Sequence, residues 1–66
     1  MEVNMAWDEF NEEWTVTIDG ETYIVRCGYS RTAMALAACA HAGLDVESCF
    51  TCCSYDPHSH IIEYED

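Results

Sequence analysis

The chain has 66 residues with 2 basic and 13 acidic side chains, a formal net charge of -11 at pH 7 and a sequence pI near 4.2. A chain this short is expected to form one small domain spanning residues 1–66 that buries only about 60% of its unfolded surface, which argues against a large enzyme with a deep cleft. With no lysine and only Arg26 and Arg31 as permanent cations, a footprint able to neutralise phosphates cannot be assembled, so direct nucleic-acid binding is excluded; the charge and the lack of a roughly 20-residue apolar run exclude the membrane and point to a soluble chain.

In chain order, Val3, Trp7, Phe10 and Trp14 recur at spacings of four, three and four residues, with Asp8, Glu9, Glu12 and Glu13 mainly on the other side. This spacing predicts a short amphipathic N-terminal helix. From Trp14 the period changes to two, Trp14, Val16 and Ile18 alternating with Thr15, Thr17 and Asp19, which predicts a strand. Asp19-Gly20 then supplies a two-residue type I′ turn, and the implied register sets Ile18 against Glu21, Val16 against Tyr23 and Trp14 against Val25. That hairpin gathers Trp14, Val16, Ile18, Tyr23, Val25 and Cys27 on a core face and leaves Thr15, Thr17, Thr22, Ile24 and Arg26 on a wet one.

Beyond Gly28, the stretch from Ser30 to Gly43 offers an N-cap serine, an alanine-rich body and a glycine stop, predicting the main helix. Its expected buried stripe is Ala33, Leu36, Ala37, Ala40 and, just beyond the helix, Leu44. Val46 to Cys53 is β-friendly, Asp56-Pro57 marks a turn, and His60 to Glu65 reads as a closing strand, giving a second hairpin. The pattern leaves two arrangements open for its inner face, Phe50 with Cys52 or Cys49 with Cys53, and Ile61 and Ile62 point opposite ways. The expected fold class is therefore α+β: an antiparallel sheet of three or four strands with one main helix packed on one face, plus the short N-terminal helix. Half of the residues are hydrophobic and 12% are aromatic, which separates this chain from disordered acidic tails.

The five cysteines, Cys27, Cys39, Cys49, Cys52 and Cys53, are odd in number, and no basic n-region or long apolar h-region marks a secretory signal. A cytoplasmic location with reduced thiols is expected. Cys49, Cys52, His58 and His60 have the composition of a structural zinc site or a redox module, but a strand would send positions three apart to opposite faces, so the leading expectation is no metal and no cofactor. Cys39 and His41 are close in sequence, yet i and i+2 on a helix do not face each other. His41 is expected to be an exposed residue or to meet the helix C-terminal dipole. No Gly-rich phosphate loop or Ser-His-Asp arrangement is present, and no enzymatic activity is expected.

The acids form clusters: Asp8, Glu9, Glu12 and Glu13; Asp19 and Glu21; Asp45 and Glu47; Glu63, Glu65 and Asp66. In a helix, Asp8 with Glu12 and Glu9 with Glu13 would be like-charge pairs each costing about 0.2 to 0.5 kcal/mol, so local stability did not select them. On a strand, Glu63 and Glu65 share a face about 6.6 Å apart. Rows of carboxylates at such intervals imitate phosphates and can occupy a groove lined by Lys and Arg. A merely soluble domain needs a net charge of magnitude about 2 to 8 with both signs interspersed.

A carboxylate-rich domain of this size, with Trp14 to Cys27 as a hairpin and Ser30 to Gly43 as an alanine-rich helix, resembles the small phage-encoded anti-CRISPR proteins, particularly those directed at multisubunit type I effector complexes. The resemblance spans the whole chain and carries over no functional residue. It implies inhibition of a CRISPR surveillance complex, type I-C being one candidate class, in the host bacterial cytoplasm by blocking its DNA-binding surface. The expected contact surface, taken from the acid clusters alone, is Asp8, Glu9, Glu12, Glu13, Glu63, Glu65 and Asp66. The expected partner is a host nucleic-acid-binding complex, and the expected state is a monomer, with a dimer as the alternative. The rival readings are the zinc or redox module and an acidic interaction subunit that docks through an apolar face containing Trp7 and Phe10.

Overall fold

The computed structural model describes residues 1–50 and 53–65. Its elements are β1 (Val3–Asp8), β2 (Glu13–Ile18), β3 (Glu21–Arg26), α1 (Ser30–His41), α2 (Val46–Cys49), β4 (Cys53–Asp56) and β5 (Ile61–Tyr64). The strands form one sheet in the order β1-β2-β3-β5-β4. All neighbours are antiparallel except β3 and β5, which run parallel. The α+β class is as expected, whereas the sheet has five strands rather than three or four and is mixed rather than antiparallel.

The β2–β3 hairpin is the element most directly written in the chain. Asp19 and Gly20 both take positive φ, 49° and 87°, as a type I′ turn requires. The register pairs Ile18 with Glu21, Val16 with Tyr23 and Trp14 with Val25. Val16, Ile18, Tyr23, Val25 and Cys27 are buried, and Trp14 packs half-buried against them.

The expected N-terminal helix is absent; that segment is β1, paired with β2 from Val3↔Ile18 to Asp8↔Glu13. Both periods are present in these residues, because Val3, Met5 and Trp7 also alternate with Asn4, Ala6 and Asp8. Pairing with β2 satisfies the backbone and sets Trp7 against Trp14 in a tilted contact, 5.3 Å between ring centroids, contacts that a short solitary helix carrying like-charge pairs cannot match.

Helix α1 lies over β2 and β3. Ala33, Leu36, Ala37 and Cys39 are its buried residues, and the alanines let the helix axis approach the sheet closely. Three details depart from expectation. Tyr29, not Ser30, is the N-cap and offers no side-chain cap; Ala40 is only half-buried; and Leu44 is 58% exposed. Gly43, at φ 78°, turns the chain away in a Schellman motif, with its N–H donating to Ala40 O and that of Leu44 to Cys39 O, so Leu44 leaves the helical face.

The β-friendly run after Val46 begins as helix α2, because Asp45 caps it: its carboxylate accepts from the Glu47 N–H and the Ser48 hydroxyl. Phe50 and Cys53 pack on the core while Cys49 is exposed, so the expected arrangement of Cys49 with Cys53 inside is not formed; the alternative of Phe50 with Cys52 involves Cys52, which lies outside the described residues. A second hairpin does form, but its first strand is Cys53–Asp56 rather than the expected Val46 to Cys53; its turn is held by Asp56, which accepts from the His58 N–H and the Ser59 hydroxyl. Ile62 is fully buried, and Ile61 faces the opposite side of the sheet beside Ile24.

Leu36→Ala is expected to cost about 2 to 5 kcal/mol in chemical denaturation and Leu44→Ala under about 0.5 kcal/mol, because only Leu36 sits inside a packed core. Equal losses would contradict this helix orientation.

Candidate acidic interface

Every strand contributes one residue to a row across the open face of the sheet, the face away from α1. Asp8 pairs with Glu13, Arg26 with Glu63 and Glu63 with Ser54. Arg26 closes the gap between the two halves: its Nε donates to Glu13 Oε1 at 3.4 Å and its Nη1 to Glu63 Oε1 at 2.6 Å. The hydrogen bond to Glu63 is the main reason the Arg26 pKa is raised, with Glu13 adding to it. The turn joining β1 to β2 extends the row at the same end of the sheet with Glu9 and Glu12, both exposed. Glu65 follows β5 beside Glu63 and Ser54.

Six of the seven expected contact acids, Asp8, Glu9, Glu12, Glu13, Glu63 and Glu65, are thus carried at one end of the sheet, Glu13 and Glu63 of them on the Arg26 guanidinium. Asp66 lies outside the described residues. The structure distinguishes their roles. Asp8 shapes the turn: Oδ1 accepts from the Phe10 and Asn11 N–H groups at 3.0 and 3.1 Å, and Oδ2 from the Asn11 side chain at 2.8 Å. Those bonds, the Asn11 side chain first, hold its carboxyl below the usual value. Glu12 stands at φ 53°, a left-handed conformation that suits Gly or Asn better than Glu. Glu13 is largely covered, with a side chain only 13% exposed. A shallow depression of about 470 Å³ over Arg26, Ile61 and Glu63 is the concave part of this face.

The opposite end of the sheet holds a different constellation, which the sequence did not foretell. Tyr23 donates its hydroxyl proton to Glu21 Oε2 at 3.0 Å. His41 Nδ1 lies 3.1 Å from the Tyr23 oxygen and 3.2 Å from Glu21 Oε2, and its Nε2 is 3.6 Å from Asp19 Oδ2. His60 stacks on Tyr23 at 4.5 Å, and its Nδ1–H donates to the Thr22 carbonyl. Burial, then the bond to Glu21, pushes the Tyr23 hydroxyl up to about 12. His41 is therefore held in a polar clamp rather than exposed or facing only the helix dipole. The one readable signal was the spacing that sets Asp19 and Glu21 around the hairpin turn.

The zinc or redox set is distributed between neighbourhoods. Cys49 meets Cys39, and their hydrogen bond, followed by burial, pushes the Cys39 thiol up to about 11. His60 is engaged by Tyr23 and Thr22, and His58 is exposed. Cys53 donates toward the Val46 and Phe50 carbonyls, and Cys52 lies outside the described residues. Among the described residues no group of three or more His, Cys, Asp or Glu side chains is arranged to hold a metal ion, and no helix is long and apolar enough to cross a membrane.

Set against known proteins, the chain matches no family model, no curated protein and no solved structure. The arrangement of its own side chains therefore carries the functional argument.

Because the folded Asp8 carboxyl has a lowered pKa, its stabilising contribution is complete above the ordinary carboxylate value near about pH 4 and disappears as pH falls through the lower folded value. Asp8→Asn should then lower the unfolding midpoint at about pH 6 and have a shrinking effect toward about pH 2. A loss independent of pH would show that the turn does not depend on the charged form.

Proposed function

We propose that this chain is a non-enzymatic inhibitor that imitates nucleic acid and occludes the basic DNA-binding surface of a host defence complex, a CRISPR effector being the leading candidate target. The observation that carries this reading is the meeting of two acid clusters far apart in sequence, 8–13 and 63–65, at one end of the sheet. Neighbouring strands lie about 4.8 Å apart and alternate residues along a strand about 6.6 Å, the scale on which a phosphate backbone presents charge. Arg26 ties the row together without reversing its sign. Glu12 adds support: an acid occupies a backbone conformation that disfavours it, so the charge is retained against a local cost.

The mechanism is competitive occlusion. A dense anionic row attracts a Lys/Arg-lined groove, accelerates encounter and loses strength as salt screens it. Substituting Lys at Glu9, Glu12, Glu63 and Glu65 together should abolish binding to a purified CRISPR effector in a pull-down, and the unsubstituted chain should bind progressively less as salt rises from about 0.05 to about 0.5 M. Binding indifferent to both would falsify the mimicry reading. Glu12→Gly separates stability from function: relief of the left-handed backbone should raise stability by up to about 1 kcal/mol while weakening partner binding, so the two readouts move in opposite directions.

A second reading, an acidic interaction subunit that docks through an apolar face, is favoured by the exposure of Phe10 at 94% and Trp7 at 42%. Phe10 projects from the same turn that carries Glu9 and Glu12. Phe10→Ser reducing binding at high salt as strongly as at low salt would favour that reading.

A further inference from the structure

We propose that the free edge of β1 accepts an extended segment of a partner protein as an added strand, one in which apolar residues alternate with lysine or arginine. The inference goes beyond the mimicry reading and shares with it only a basic partner.

The hydrogen-bond phase of β1 sets which of its backbone groups point off the sheet. The Asp19 N–H donates to the Glu2 carbonyl at 2.9 Å, which marks that position as a hydrogen-bonded pair. Alternation along an antiparallel ladder then directs the backbone groups of Asn4, Ala6 and Asp8 toward β2, and those of Val3, Met5 and Trp7 off the open edge. These same three residues place their side chains on the α1 side of the sheet, opposite Ile18, Val16 and Trp14. The helix covers β2 and β3, so Val3 is 36% and Trp7 42% exposed, with Met5 half-buried. Unpaired backbone and uncovered apolar side chains coincide on one strand.

The other edge of the sheet is built differently. β4 has four residues, is followed by Pro57, and has its Tyr55 N–H capped by Glu47 Oε2 at 3.2 Å. Those are the devices that keep a sheet edge from pairing. β1 has six residues and contains no proline or lysine.

Charge selects the occupant. β1 ends on Asp8 and is bordered by Glu2, Glu9 and Glu12, Arg26 is already bound by Glu13 and Glu63, and Arg31 stands on α1. A second copy would bring another net -11 against the same acids. An added strand of alternating character sets its apolar side chains beside Val3, Met5 and Trp7 and its cations beside the Asp8–Glu13 end of the open face, the usual division between backbone affinity and side-chain specificity in strand addition.

The test uses the full chain, labelled for amide exchange, and a synthetic peptide of about eight residues alternating lysine and valine, long enough to span β1. Binding should slow exchange at the Val3, Met5 and Trp7 amides. Met5→Pro removes an outward-facing donor at an edge position that tolerates proline and should weaken binding by about tenfold or more. Should that variant fail to fold, Val3→Lys with Trp7→Lys keeps the backbone edge, removes the apolar face, and should weaken the peptide equally. Unchanged exchange at those three amides, undiminished binding by the variants, or pairing of two copies along β1 overturns the proposal. If binding to a CRISPR effector survives Met5→Pro but is lost on charge reversal, edge docking is wrong and mimicry stands.

Discussion

Parallel pairing of β3 with β5 is the constraint from which both ends of the sheet follow. The chain leaves β3, runs through α1, α2 and β4, and returns to lay β5 between β3 and β4, so Val25 meets Ile62 in the core while Arg26 meets Glu63 on the open face. A parallel connection needs a long crossover, and an alanine-rich helix that can lie close to the sheet supplies it. Without this insertion Glu63 would have no route to Arg26, and His60 none to Tyr23. The same pairing thus serves as hydrophobic closure on one side and electrostatic organisation on the other.

The two ends then treat charge differently. At one end, the row from Asp8 to Glu63 has one guanidinium shared between two strands, and repulsion among the remaining acids is left largely to solvent. At the other, Asp19 and Glu21 converge on His41 and the Tyr23 hydroxyl, so negative charge is met by hydrogen-bond donors of the protein itself. Self-repulsion from so many acids opposes compaction. At the β1–β2 turn the Asp8 carboxylate is met by donors of Phe10 and Asn11, whereas Glu9 and Glu12 face solvent beside the exposed Phe10. An acidic face adjoining an unpaired, apolar strand edge is the surface from which both proposals of a cationic partner are drawn.

How much of the site could be read from the chain depended on distance in sequence. The acids at positions 8–13 and 63–65 stand out by composition alone. Their union rests on a parallel pairing that no local pattern announces. Nor was the structural duty of Asp8 visible: a helix would have placed it among like charges, whereas in the turn it organises Phe10 and Asn11. The His41 clamp is not legible in the chain for the same reason, since its partners come from a hairpin about twenty residues away, and helix periodicity says nothing about what lies across a packing interface.

Local chemistry by itself determined the Asp19-Gly20 turn, the register of β2 on β3, the alternating core face and the main helix, because each depends on backbone preference or on periodicity within a dozen residues. Tertiary structure alone decided that residues 3–8 are strand rather than helix and that β5 enters the sheet parallel to β3, whereas the Asp45 cap that starts α2 is local chemistry. In those segments the local preferences are balanced or short, so the state is chosen by which backbone groups find partners and which apolar faces find cover elsewhere in the fold.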